Sequence, residues 1–581
     1  MLHRFQSFEI DESTRELRAG SRVLSLQPLV FDLLVYLVKN HDRVVPKDEL
    51  LETLWPETTV AESSLQRAVS LARTALAEAG ATDVIRTHAR HGYRFFAPKP
   101  ADCAGEDDAL GCARDAAKRL EWLDAVAHWE KVEQLDQLST DDLQCWAHCA
   151  QHAGRARDAI APLERAVAHY RKSGDRLRAG WVALHLAQLR LEWREPIVAN
   201  GWYQSALRLF EDEPECRERG YLVFLGARMA LYSNDLERAL ELSQIAQKMG
   251  GRFHDADLES LGLTYAGTAR VLLGQTREGL ASLDEAGASL ASCDLSPWAG
   301  GLVYCGVIFS CLNRSDWKRA GHWTEQFTRW GEDKGTAAYP GLCQMHRAEL
   351  LGVQGELEEA EKAIRATQEL LSRDAPWVEG EAWRVLGEIL VAKGYLDEAE
   401  QAFAKAAELG WDAQFNLALL RLAEGDAEGA ATLLGRTLAE NTWSGRSMRG
   451  RVLAHYCIAA SAAGQVKTAR SALASLEKDP DLTSTAALQA LTSQARGELA
   501  AAEGRPDQAI TLLRTALHAW IEMEAPLMAA ETRCRLARLL MKEDDRESAS
   551  LELAAAAAAF RRAGAHGMLS QCVELQSRLC A

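Results

Sequence analysis

The stretch Glu62-Ser-Ser-Leu-Gln-Arg-Ala-Val-Ser-Leu-Ala-Arg-Thr-Ala-Leu-Ala-Glu-Ala79 decides how the front of this chain is read. Leu65, Ala68, Val69, Ala72 and Leu76 recur at i, i+3, i+4, i+7 and i+11, the spacing of one face of an α-helix. That spacing predicts a helix with this face in a core. The opposite face presents Ser63, Gln66, Arg67, Ser70, Arg73 and Thr74, and it carries no acid. A neutral-to-basic, hydrogen-bonding face on a short exposed helix suits the major groove of duplex DNA, where base edges offer donors and acceptors.

Downstream, Val84-Ile-Arg-Thr-His-Ala-Arg-His-Gly-Tyr-Arg-Phe-Phe96 predicts a hairpin. From Ser63 to Lys99 there are six Lys and Arg (67, 73, 86, 90, 94, 99) against two acids, Glu78 and Asp83. Positive charge thus gathers where helix and hairpin would meet phosphates. Upstream, residues 3–26 alternate and turn at Ala19-Gly20, which predicts a small antiparallel sheet. Pro28 opens an apolar helix through Leu29–Val38. Pro46 opens a second over Lys47–Leu54, ended by Trp55-Pro56.

The whole chain of 581 residues has a formal net charge of −17, which argues against a nucleic-acid binder. The charge is uneven, however. Residues 1–100 hold 13 Lys and Arg and 13 Asp and Glu, so the remainder, with 53 against 70, carries all of the excess. An acidic body repels DNA, and the neutral head is left as the contact. The 13 cysteines are scattered without a C-x-x-C, which predicts free thiols rather than a disulfide framework or a metal site. The start has no apolar signal segment, and the longest apolar run, Leu553 to Phe560, is too short for a bilayer. A cytoplasmic protein with no membrane contact is the expectation.

Composition changes at Pro98-Lys99-Pro100, which an acidic stretch follows. The chain divides there into 1–97, a linker at 98–109, and 110–581. The last part reads as helix throughout, and it repeats. Gly355-Glu-Leu-Glu-Glu-Ala360, Gly394-Tyr-Leu-Asp-Glu-Ala399 and Gly464-Gln-Val-Lys-Thr-Ala469 share one pattern with Asn234–Ala239, Ser315–Ala320, Gly425–Ala430 and Gly504–Ala509. The marked positions run 159, 199, 239, 279, 320, 360, 399, 430, 469, 509 and 549. Their steps are 39 to 41 residues apart from one of 31, a shortened repeat. A turn residue that tolerates the left-handed conformation ends one helix, and the alanine lets the next lie close against it. Each hairpin buries a face on its neighbour, so the stack shares a core. Trp202, Trp317, Trp323, Trp383 and Trp520 read as packing between these helices.

This pattern resembles tetratricopeptide repeats, with a period longer than the usual roughly 34 residues. On Glu195–Trp202, Trp317–Phe327 and Gly341–Leu351 it is similar to the repeat region of large LuxR-type and ATPase-linked bacterial regulators. Their nucleotide-binding G-x-x-x-x-G-K-[ST] does not occur here.

The head resembles the OmpR/PhoB winged helix-turn-helix domain. Five separated segments carry the likeness: Leu26–Leu37, Arg43–Leu51, Trp55-Pro56, Ser64–Arg73, and Ile85-Arg-Thr with His91-Gly-Tyr-Arg-Phe95. The resemblance implies that the third helix enters the major groove and that the turn at Arg90-His91-Gly92 is the wing. It implies a phosphate contact at Thr87, a basic contact at Arg73, and RNA polymerase touching the loop from Trp55-Pro56 to Val60, with Trp55, Thr58 and Thr59 as candidates. Arg90 and Arg94 complete the candidate DNA-binding set. The sequence departs from the family at Ala68, Ser70, Leu71 and Ala89, where His or Arg is common. Fewer phosphate contacts imply weak binding by one head and a need for dimerisation, tandem sites or a partner. The family's receiver domain is not seen, so regulation is expected through the repeats. His88 and His91 read as surface histidines, Arg94 equally as a hairpin brace, and Glu356, Glu358 and Glu359 as a solvated face.

No H-E-x-x-H, G-x-S-x-G or phosphate-cradling loop stands in a convincing context, so neither catalysis nor a cofactor or metal is expected. The fold class expected is a small α+β winged helix-turn-helix head followed by an α-helical TPR-like solenoid. The function expected is a one-component regulator that binds double-stranded DNA. Its repeats would take a protein, peptide or small-molecule effector or form a homodimer. The alternative is an interaction scaffold whose head no longer reads DNA.

Overall fold

A computed structural model describes residues 2–5, 8–11, 15–19, 22–24, 26, 28–40, 43–55, 62–77, 84–88, 92–96, 109–119, 121–132, 138–292, 295–334, 340–440 and 442–580. The chain forms two compact units, Met1–Asp115 and Ala116–Ala581. The division falls inside the helix Ala109–Lys118. Residues 98–108 of the expected linker lie outside the described residues.

In the first unit, β1 (Leu2–Phe5), β2 (Phe8–Asp11), β3 (Glu16–Ala19) and β4 (Arg22–Leu24) form an antiparallel sheet in that order. Ala19 pairs with Arg22, which puts the turn where Ala19-Gly20 predicts it. The helix α1 (Pro28–Lys39) buries Val30, Phe31, Leu33, Leu34 and Leu37. A two-residue strand β5 (Val45–Pro46) leads into α2 (Lys47–Leu54), with extended Pro46 as its cap residue. Then come α3 (Glu62–Ala77), β6 (Ile85–His88) and β7 (Gly92–Phe95). The second sheet has the order β5-β7-β6, antiparallel throughout. Gly92 makes that sheet possible. It has φ +146°, and a Cβ there would stand 1.9 Å from the Val45 carbonyl oxygen.

The three helices close over one core. Leu65, Ala68, Val69, Ala72 and Leu76 of α3 are all buried, together with Leu50 of α2 and Tyr93 and Phe95 of β7. Each large aliphatic side chain among them contributes roughly 1.5–3 kcal/mol relative to exposure.

The second unit is helical. Among the described residues it makes eleven hairpins, from Thr140–His152 with Ile160–Ser173 to Pro526–Lys542 with Arg546–Ala563, and His566–Cys580 follows them. The marked alanines at 159, 199, 239, 320, 360, 399, 430, 469, 509 and 549 are at most 1% exposed. Nine of them stand in the first turn of a hairpin's second arm, and Ala159 ends the short 3₁₀ turn that leads into Ile160–Ser173; at these places a larger side chain would force the arms apart. At the remaining repeat even alanine is too large. A Cβ on Gly279 would meet the Gly267 carbonyl oxygen at 2.7 Å. All eleven hairpin turns contain a residue with positive φ; four of these are not glycine (Arg194, Asn234, Ser315 and Asp544). The shortened repeat is the pair Gln414–Glu424 and Ala427–Ala439, and the five-residue helix Trp443–Ser447 follows it.

Stacked repeats ordinarily touch only their neighbours. This stack also touches itself at long range. The Arg314 guanidinium donates to the Asp481 carbonyl at 2.7 Å and to Ser484 Oγ at 2.6 Å. Gln571 Nε2 donates to the Ala423 carbonyl at 3.1 Å. A Cβ on Gly394 would lie 2.5 Å from the Gly567 backbone. The stack therefore winds back on itself, and hairpins several repeats apart meet.

No helix among the described residues is long and apolar enough to cross a membrane. Nine described cysteines are free. Cys112 is disulfide-bonded, which corrects the expectation that the thiols stay free. Trp520 is buried, as packing requires, and Trp323 lies on Gly287 and against Tyr304. Trp202, Trp317 and Trp383 are half-buried.

Candidate nucleic-acid interface

The amphipathic pattern of α3 determines which residues reach the surface. With its apolar stripe in the core, Gln66, Arg67, Ser70, Leu71 and Arg73 are exposed on the other side. Ser63 and Thr74 belong to the same helix, but their side chains lie outside the described residues. Arg67 has no hydrogen-bond or ion-pair partner among the described residues. Its guanidinium is held only by its own stem, and it can turn toward an anion.

Arg73 is held differently. Its Nε and Nη2 donate to the Ile85 carbonyl at 2.9 and 2.7 Å, and Nη2 also donates to Thr87 Oγ1 at 2.8 Å. These bonds fasten β6 to α3, so the exposed Thr87 hydroxyl sits beside the helix face that carries Arg67 and Ser70. Arg73 and Thr87 form one bonded unit, which the sequence pattern had placed on two separate elements.

The hairpin adds a second basic pair. Arg86 and Arg94 are opposite one another on β6 and β7. Both guanidinium groups lie over the Phe96 ring, at 4.1 and 5.7 Å from its centroid. Arg94 is half-buried and braces the hairpin through Phe96, while Arg86 is exposed. Arg86 was absent from the candidate set, although the period-two alternation of the strand puts it on the face of Arg94. Exposed Leu71 was also outside that set. Ala68, where the family commonly has a basic residue, is buried at 3% exposure, so this departure removes nothing from the outer face.

Trp55 is half-buried and packs against the head's core, and its backbone N–H donates to the Leu51 carbonyl at 3.0 Å. Thr58, Thr59, Arg90 and His91 lie outside the described residues, as does the side chain of His88.

A polar brace holds α1 and α2 in register. Glu49 accepts from Arg43 Nη1 at 2.9 Å and from the Tyr36 hydroxyl at 2.8 Å. Arg43 also donates to Asn40. The Arg43 guanidinium, with help from Tyr36, holds the Glu49 carboxyl down to about 2. Arg15 ties the first sheet to α1 through Asp32 at 2.8 Å and the Pro28 carbonyl at 3.2 Å. No group of three or more His, Cys, Asp or Glu among the described residues could hold a metal ion.

Residues 21–95 match the family described as transcriptional regulatory protein, C terminal. Two curated relatives are both described as uncharacterized transcriptional regulatory proteins of Bacillus subtilis (strain 168). YkoG is 35% identical over 51 residues, which are 9% of this chain and 22% of that protein. YvcP is 41% identical over 66 residues, 11% of this chain and 28% of that protein. The matches thus span about a quarter of the length of these relatives. Among solved structures, the chain is similar to the APC/C hetero-tetramer Cut9-Hcn1, at 16% identity and a TM-score of 0.42. That match covers 82% of this chain and 96% of the other. It is also similar to a tetratricopeptide repeat protein from Parabacteroides merdae ATCC 43184, at 16% identity and a TM-score of 0.25. Here 51% of this chain and 91% of the other are covered.

Proposed function

We propose that this chain, whose residues 21–95 match an OmpR/PhoB-type regulatory domain, is a sequence-specific double-stranded-DNA-binding transcription regulator. One observation carries the reading: α3 turns an exposed, acid-free row outward, and Arg67 in that row has no hydrogen-bond or ion-pair partner among the described residues. Gln66, Arg67 and Ser70 read base edges, and Leu71 is placed to contact a thymine methyl. Arg73 acts mainly by holding Thr87 and the hairpin at the helix, so that Thr87 and Arg86 meet the flanking phosphates. Ser63, Thr74 and the wing residue Arg90 extend the same contact, with Arg94 steadying the wing. RNA polymerase would meet the loop after α2, with Trp55, Thr58 and Thr59 as its candidates. The repeats carry the effector site and set the oligomeric state.

The test is fluorescence anisotropy of the full chain on duplexes from its own promoter region, over a range of salt. Binding should weaken steeply with salt, and Arg67→Ala should cost about 1–3 kcal/mol on the promoter duplex and narrow its preference over unrelated duplexes. Arg67→Ala that binds every duplex as tightly as the parent would overturn the reading.

A further inference from the structure

Where the stack winds back on itself, four places in the chain come together. They are the turn between Ala256–Leu272 and Thr276–Ser292, the end of Pro297–Asn313, the start of Arg449–Ala462 and the 3₁₀ turn Pro480–Thr483. Between them lies a cavity of about 330 Å³. That volume is within the range of small-molecule sites, roughly 300–1,000 Å³. Arg314 and Asp481, which meet here, are 167 positions apart in sequence. A Cβ on Gly450 would stand 2.5 Å from the Leu482 carbonyl oxygen, so the walls are close on that side too.

The lining is cationic in an acidic body. Beyond residue 100 the chain holds 53 Lys and Arg against 70 Asp and Glu. At the cavity the balance is reversed: Arg314, Arg446, Arg449 and Arg451 line it, against the carboxylate of Asp479. Asp479 is already in use, because its Oδ1 accepts the Asp481 backbone N–H at 3.0 Å and caps the 3₁₀ turn. Arg451 lays its guanidinium on the Phe415 ring, 5.1 Å from the centroid. Three arginines then stand against one carboxylate, an excess of two positive charges.

Arg314 is 6% exposed, yet every oxygen it donates to is neutral. These are Thr276 Oγ1 at 3.4 Å, the Asp481 carbonyl at 2.7 Å and Ser484 Oγ at 2.6 Å. Burial pulls its guanidinium below the ordinary value, and Asp481, Asp316 and Asp479 only work against this from farther off. Arg449 is exposed and lines the same space. No carboxylate among the described residues lies within ion-pair distance of Arg314 or Arg449. Buried charges are ordinarily paired. A buried guanidinium with no counter-ion, and a second one on the same cavity, call for an anion from outside the chain. Guanidinium groups match phosphate oxygens in charge and geometry. One phosphate group carries about −1.5 to −2 at neutral pH, which is the excess the lining leaves.

We propose that this cavity binds one phosphate group, free or carried on a compact metabolite, with Arg449 on its oxygens and Arg314 and Arg446 supplying charge from the walls. The site gives the effector expected at the repeats a chemistry; its role as effector rests on that reading, and its binding does not.

Inorganic phosphate and glucose 6-phosphate are titrated calorimetrically into the full chain without DNA, at constant ionic strength with chloride as the balancing anion. At least one should bind at one site per chain. Tighter binding of the sugar phosphate assigns a phosphorylated metabolite, and equal or weaker binding assigns the free ion. Arg449→Gln should weaken the tighter probe about tenfold or more, a change of about 1.4 kcal/mol. Because Arg449 is exposed, that variant should keep the parent's urea midpoint. Arg446→Gln, which removes a further positive charge, should weaken binding too. Arg67→Ala, which removes a cation from the head, should leave it unchanged. Failure of both probes to bind the parent chain at about 5 mM overturns the proposal. So does binding that Arg449→Gln leaves intact, or binding lost in Arg67→Ala, which would put the phosphate on the head's DNA-facing helix. DNA is absent from every titration, so the regulator reading and this site can fail separately.

Discussion

Arg67 and Arg73 lie six positions apart on one helix face and differ in what holds them. Arg73 donates three hydrogen bonds to β6, and Arg67 donates none among the described residues. Arg73→Ala should therefore loosen the hairpin, by about 1–2 kcal/mol, and weaken DNA binding as a consequence. Hydrogen exchange of the full chain should quicken over 85–95 in Arg73→Ala and stay unchanged in Arg67→Ala. Equal exchange in the two variants would show that Arg73 positions nothing. Glu49 gives the second residue-scale expectation. Its folded carboxyl is held at about 2, below its ordinary value, by Arg43 and then Tyr36. A depressed carboxyl stabilises the fold above its unfolded value, and this is lost as pH falls toward the folded one. Between about pH 4.5 and about pH 2 the parent should lose more stability than Glu49→Gln. Urea midpoints at each pH check this, and parallel curves for the two chains would count against it.

At the scale of elements, the hairpin is the unit, and its spacing is set by the first turn of the second arm. Gly279 and Ala320 occupy equivalent positions and predict opposite responses. Gly279→Ala drives a methyl group into the Gly267 carbonyl oxygen and the Val271 nitrogen. It should destabilise the body by about 1–3 kcal/mol through overpacking. Ala320→Gly removes a buried methyl from a helix and should cost less, about 1 kcal/mol. Urea unfolding of both variants tests the order, and a reversed order would show that close approach does not govern the spacing. The Gly-to-Ala interval was legible in sequence because left-handed turn and small first-turn residue recur in register. Arg194, Asn234, Ser315 and Asp544 adopt the same positive φ without being glycine. Their place was legible only through that register.

At the scale of the whole repeat body, contact between hairpins several repeats apart is the feature that neighbour-to-neighbour repeats do not require. Gly394 and Gly567 meet backbone to backbone, so Gly394→Val must push the C-terminal helix away from the middle of the stack. Small-angle scattering of the full chain should show an increased radius of gyration, with helix content unchanged. An unaltered radius would mean that the turns of the stack are held together elsewhere, by Arg314 and the segment 481–485.

What the sequence by itself determined about this protein is whatever depends on local period. The stripe Leu65–Leu76 settled which face of α3 is inside, and therefore that Gln66, Arg67, Ser70 and Arg73 are outside. Register in the repeats settled the hairpins. Three things needed the tertiary structure: the fastening of Arg73 to Thr87, the pairing of Arg86 with Arg94 over Phe96, and the stacking of Trp317 on Trp520. Each joins residues on different elements. Contact between distant hairpins depends on small rotations between successive ones, accumulated over many repeats, and no window of sequence contains that sum.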